Sequence, residues 1–124
     1  MKLDKELVRD VLLAVEAHDE PDRWLAIKIP GKSDIEVSYH IMLLAEAGML
    51  KADDVGSHDG FEWVPTRLTY KGHEFLETVR DPEIWRRTKE GAEKAGIAGL
   101  GMLVELGKAY GKQLLKERLG IDLP

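Results

Sequence analysis

The sequence contains no cysteine, which excludes disulfides, cysteine-ligated zinc, iron–sulfur clusters and thiol nucleophiles together. It has no run approaching the ~18 apolar residues of a membrane span. Its first residues, Met1-Lys2-Leu3-Asp4-Lys5-Glu6, put charges where a signal peptide needs an apolar stretch. A cytoplasmic protein is expected, with neither export nor membrane insertion. Phosphate-loop chemistry is also missing, since Gly99-Leu100-Gly101 follows no strand and no Lys-Ser or Lys-Thr completes it. Ser33, Ser38 and Ser57 sit in no nucleophile elbow. His18, His40, His58 and His73 lack a His-x₃-His spacing. Asp53, Asp54 and Asp59 lack the spacing and closing Glu of a calcium loop. No enzyme activity, metal or cofactor is therefore expected.

What remains is a chain of 124 residues, 44% hydrophobic and 33% charged, sized for one domain with a small appendage. Its net charge of −5 is unevenly placed. Residues 1–60 carry 7 Lys/Arg against 13 Asp/Glu, whereas residues 61–124 carry 11 against 10. An acidic front half repels phosphate and sets any nucleic-acid reading at a disadvantage.

Leu7, Val8, Val11, Leu12 and Val15 recur at helical spacing between Asp4 and His18. Trp24 to Ile29 is aromatic and β-branched and is closed by Pro30-Gly31, which predicts a strand with Trp24 in the core. Ser33-Asp34-Ile35-Glu36 has the pattern of a capping box and opens a second helix, which Gly48 ends. Met49 to Ala52 and Phe61 to Val64 read as a hairpin with a tip of about eight residues, Phe61 and Trp63 sharing one face. Thr69 is the expected N-cap of a helix from Tyr70 to Arg80, and Asp81-Pro82 restarts a further helix. A last helix is expected from Ile97 to Leu119, although Gly96, Gly99, Gly101, Gly107 and Gly111 weaken it. Such a helix either packs closely through its small residues or forms only in part.

The blocks Tyr39-His40-x-x-Leu43-Leu44-x-x-Ala47-Gly48 and Leu68-Thr69-x-x-Gly72-His73-Glu74-Phe75-Leu76, in this order of elements, resemble the winged-helix group of helix-turn-helix regulators. More narrowly, with Trp85 and Lys89 after them, they look like an uncharacterised bacterial and phage-associated family, a domain of unknown function, over most of residues 1–95. The resemblance implies an α+β fold: a winged helix-turn-helix-like module over residues 1–80 and a C-terminal helical extension over residues 81–124. It departs from the usual winged helix in one respect. His18 to Gly31 reads as loop plus strand, so the helix that normally braces the recognition helix is missing.

On that resemblance the helix from Ser33 to Gly48 is the recognition helix, with Glu36, Tyr39, His40, Met42, Leu43 and Glu46 facing outward. Ser38, Tyr39, His40 and Met42 are then candidate contacts, flanked by Lys32, Lys51, Arg67 and Lys71. The body of this helix contains no Lys or Arg, which weighs against base readout. Lys108, Lys112 and Lys116 recur every four residues, as the solvated face of an amphipathic helix, as a phosphate-tracking stripe or as the rim of a dimer seam. Leu100, Leu103 and Leu114 offer a seam for a homodimer. Two functional expectations follow: a small DNA-binding regulator of bacterial or phage origin, or the same fold used to bind a protein without DNA.

Overall fold

A computed structural model describes residues 1–96 and 99–122. Among them are five helices and one two-stranded antiparallel sheet, an α+β architecture. The chain divides into two compact units, residues 1–74 and 75–124, a division that falls inside the third helix.

In the first unit, helix α1 (Lys5–Glu16) is capped by Asp4, whose carboxylate accepts from the Leu7 amide. Its predicted apolar stripe is its core face, with Leu7, Val8, Val11, Leu12 and Val15 all buried. Each contributes roughly 1.5–3 kcal/mol through the apolar surface it removes from water. Helix α1 packs on helix α2 (Asp34–Glu46) and on the hairpin. Both halves of the predicted capping box form at Ser33 and Glu36. The chain leaves α2 through Gly48 at φ +77°, a left-handed conformation that a Cβ would strain.

Strands β1 (Leu50–Asp54) and β2 (Trp63–Leu68) form the hairpin, with a register shift between Lys51 and Ala52 and an eight-residue tip over 55–62. Phe61 lies before β2 and is 41% exposed, so it does not share a packed strand face with the half-buried Trp63.

The segment Trp24–Ile29 is not a strand. It keeps the alternation of one, with Leu25, Ile27 and Ile29 half-buried and Trp24, Ala26 and Lys28 exposed. It makes one rung, from the Leu25 amide to the Pro65 carbonyl. Two facts stop the ladder there: Pro65 has no N–H to return, and the Trp63 amide donates to the Ser38 hydroxyl instead. Trp24 is not core but 59% exposed, and its indole N–H donates to Asp53 at 2.8 Å.

Helix α3 (Tyr70–Val79) starts at Thr69, whose hydroxyl accepts from the Gly72 amide and donates to the Gly48 carbonyl. The Thr69 amide donates to Met49. Gly72 lies so close to the Met49 carbonyl that a Cβ there would sit 1.9 Å from the oxygen. The Leu68-Thr69-x-x-Gly72 block is thus the joint that seats the start of α3 on the end of α2.

In the second unit, helix α4 (Pro82–Ala95) is capped by Asp81 with Pro82 in its first turn, as the sequence predicts. Helix α5 (Leu100–Leu119) begins at Leu100 rather than Ile97. Gly96 closes α4 and Gly99 caps α5, which breaks the predicted run, while Ile97 lies outside the described residues. The small residues of α5 give close packing. A Cβ on Gly107 would touch Thr78 and Val79 at 3.3 and 3.4 Å, and Tyr110 lies across Gly91.

Candidate interaction surface

The residues expected to meet a partner separate into two groups, one committed inside the first unit and one open to water. Asp4 is the hub of the first group. Its carboxylate accepts from the Lys32 ammonium at 2.7 Å and from the Leu7 amide, and its own amide donates to His40 Nε2 at 2.8 Å. His40 Nδ1 then donates to the Glu36 carbonyl at 2.8 Å. This pattern assigns the Nδ1–H tautomer. His40 is 1% exposed, so its placement on the outer face is corrected: it joins the start of α1 to α2. The Lys32 hydrogen bond holds the Asp4 carboxyl below its ordinary 3.8, against an opposing effect of burial, and the same bond raises Lys32. Nearly two turns on, burial raises the Asp10 carboxyl, with Glu6 adding to it.

Ser38 is buried as well, 6% exposed, and latches β2 through the Trp63 amide. Lys71 donates to the Ala47 carbonyl at 3.0 Å, where a cation complements the negative end of the α2 dipole. Lys32, Ser38, His40 and Lys71 therefore have defined structural partners. Asp4, which spacing did not single out, organises two of them; its signal was an acid one residue before an apolar-periodic helix.

The open group lies on α2 and the hairpin. Ile35, Tyr39, Met42 and Glu46 fall at i, i+4, i+7 and i+11, one stripe of the helix. Ile35 is 55% exposed, Tyr39 and Met42 are half-buried and Glu46 is exposed. The acids Asp34 and Glu36 flank this stripe in the first turn. On the hairpin, Lys51 and Arg67 are direct cross-strand partners and both exposed, a like-charge pairing that a sheet does not favour, and the Arg67 guanidinium also donates to the Leu68 carbonyl at 3.2 Å.

The tail lysines are solvent-facing. Lys108 lies 3.9 Å from Glu105 and Lys116 pairs with Asp122 at 3.0 Å, with Lys112 exposed between them. Leu103 and Leu114 are covered within the second unit. A seam between copies through α5 would therefore draw on the exposed Met102, Leu115 and Leu119.

A cleft of about 330 Å³ completes the first unit. One wall is the segment 25–28, the other is the hairpin tip with the start of β2, and Val37, Ser38 and Ile41 of α2 also line it. No described helix is long and apolar enough to cross a membrane.

A family model described as a hypothetical protein, DUF2513, matches residues 2–98. A Haemophilus influenzae protein described as uncharacterized is 33% identical over 90 residues, covering 72% of this chain and 76% of that one. No solved structure gives a significant match.

Proposed function

We take as premise that the chain belongs to the DUF2513 family of hypothetical proteins, and we propose that its first unit is a winged-helix-like module that binds a protein through the outer face of α2. The observation that carries this reading is the stripe Ile35–Tyr39–Met42, which turns apolar side chains toward solvent on a helix that has no Lys or Arg of its own. A helix that presents apolar side chains on both its core and its solvent side leaves area for a partner to cover. The winged-helix reading rests on the order helix, extended segment, helix, hairpin, with no helix described between α1 and α2. The proposed setting is the cytoplasm of a bacterium or of a phage-infected cell, in keeping with a chain that has no cysteine.

DNA binding is the second reading, and the Lys51–Arg67 pair favours it. Two exposed cations side by side on a hairpin suit a phosphate, Arg67 keeping further N–H donors beyond the one it gives to the Leu68 carbonyl. The two readings separate in one experiment that pairs host-lysate capture with anisotropy on random duplex DNA at low and physiological salt. Capture of a stoichiometric partner by the wild type, lost in Ile35→Glu/Met42→Glu, supports the protein reading. Salt-sensitive DNA binding that Lys51→Glu abolishes, with no captured partner, overturns it.

A further inference from the structure

We infer that the cleft of the first unit takes an extended, cation-bearing peptide segment as an added strand. This site is separate from the outer face of α2, because Val37 and Ile41 in the cleft lie on the buried side of that helix.

The cleft opens where two chains fork. The segment 24–29 and β2 share the Leu25–Pro65 rung at 2.9 Å, and an antiparallel continuation would next join Ile27 to Trp63. Trp63 has given its amide to Ser38, so Ile27 keeps both backbone groups without a hydrogen-bond partner among the described residues. Ile27 has the same parity as Leu25, which turns those groups toward the gap. A half-used strand edge is completed by another strand, whose main chain supplies the missing donors and acceptors. The apolar Val37 and Ile41 can take alternate side chains of such a strand.

Charge selects the occupant. Lys28 is paired with Asp34 at 2.7 Å. Asp59 and Glu62 on the opposite wall are exposed and have no ion-pair partner among the described residues. Lys or Arg side chains alternating with apolar ones would meet those carboxylates while the apolar ones face the floor.

The test uses the full chain and labelled seven-residue peptides alternating valine with lysine, beside a counterpart alternating valine with glutamate. Saturable binding of the lysine peptide alone is expected, about tenfold weaker in Asp59→Lys/Glu62→Lys. Both substitutions are at exposed tip positions, and an unchanged urea midpoint verifies folding. N-methylating alternate peptide amides along one edge should abolish binding while methylating the other edge leaves it intact. Exchange of the Ile27 amide should slow at the same time. Absence of saturable binding overturns the inference, as does binding insensitive to the methylated edge, which reports charge attraction only. Binding lost in Ile35→Glu but kept in the tip variant also overturns it, by placing the peptide on the outer face of α2.

Discussion

In the second unit arginines are paired with acids along the helices. Arg87 bridges Glu83 and Glu117, Arg118 meets Asp81 and Arg86 reaches Glu90, while Trp85, Ala92, Leu103 and Leu114 are buried. In the first unit Lys32 turns to Asp4 and the exposed Lys71 donates to the Ala47 carbonyl, while Trp24, Ile35 and Phe61 face solvent. A face laced with exposed ion pairs gains little stability from them and suits a solvated scaffold. Both units show apolar side chains outward, Met102, Leu115 and Leu119 on α5 among them. Those of the first unit, however, include a stripe on α2, a helix with no Lys or Arg, and such a face is fit for a partner. On the proposed reading the contact falls on that stripe rather than on the tail lysines, which face water beside acids of their own.

The sharpest break of that comparison is at glycine. Gly72→Ala sets a Cβ 1.9 Å from a backbone oxygen, and neither atom can move without unseating α3. A loss of roughly 3 kcal/mol or more in urea unfolding is expected. Gly107→Ala in the second unit meets only side-chain carbons at 3.3–3.4 Å, which can shift, so a cost nearer 1 kcal/mol is expected there. Equal effects would show that the two joints are packed alike.

Removing His40 comes next. His40→Ala leaves the Asp4 amide without its acceptor, removes the ring donor to the Glu36 carbonyl and empties a position 1% exposed, and a loss of about 2–3 kcal/mol is expected in the same assay. His40→Gln, which keeps a donor and an acceptor, should recover part of it. A loss no larger than that of an exposed α5 substitution would remove the hub from the account of the first unit.

Asp4 and Asp10 then sharpen the comparison through pH. The Asp4 carboxyl is lowered when folded, so its contribution is present above the ordinary carboxylate value and is lost as pH falls through the folded value. Asp4→Asn should flatten that acid limb and cost up to about 1 kcal/mol at neutral pH through the lost Lys32 ion pair, since Asn caps a helix as well as Asp does. Asp10 has the opposite sign. Its raised value means that stability falls as pH rises through the unfolded and then the folded value, so Asp10→Asn should raise the urea midpoint at pH 7. A lower midpoint for Asp10→Asn would contradict burial as the cause.

The capping signals were legible in the sequence because each is a contact between near neighbours: Ser33 with Glu36, Thr69 with Gly72, Asp81 with the first turn of α4. The stripe of α1 was legible for the same reason. Long-range pairing was not. The periodicity of Trp24–Ile29 is that of a strand, but whether it pairs depends on Pro65 and Ser38, distant in sequence. His40 lies beside Tyr39 on a helix whose outward side is also apolar, so helical phase does not distinguish the buried residue from the open one; the deciding partner, Asp4, is 36 residues away. Ile35 reads in the sequence only as part of a capping pattern, although its exposure puts it first on the proposed contact face.

The smallest expected effects on stability come from the surface, and there the comparison turns from folding to binding. Ile35→Glu and Lys112→Glu both change exposed side chains, and each should leave the urea midpoint within about 0.5 kcal/mol of the wild type. Their effects on partner capture should differ. Ile35 is the most exposed apolar residue of α2, and a carboxylate there places an uncompensated charge under a partner, whose burial costs far more than the lost side chain contributed. Lys112 lies between two lysines with acidic neighbours of their own, and reversing one such charge shifts mainly a screened, long-range field. Lost capture with Ile35→Glu and unchanged capture with Lys112→Glu would fix the contact on α2. The reverse pattern would move it to α5 and make the paired charges of the second unit the recognition surface.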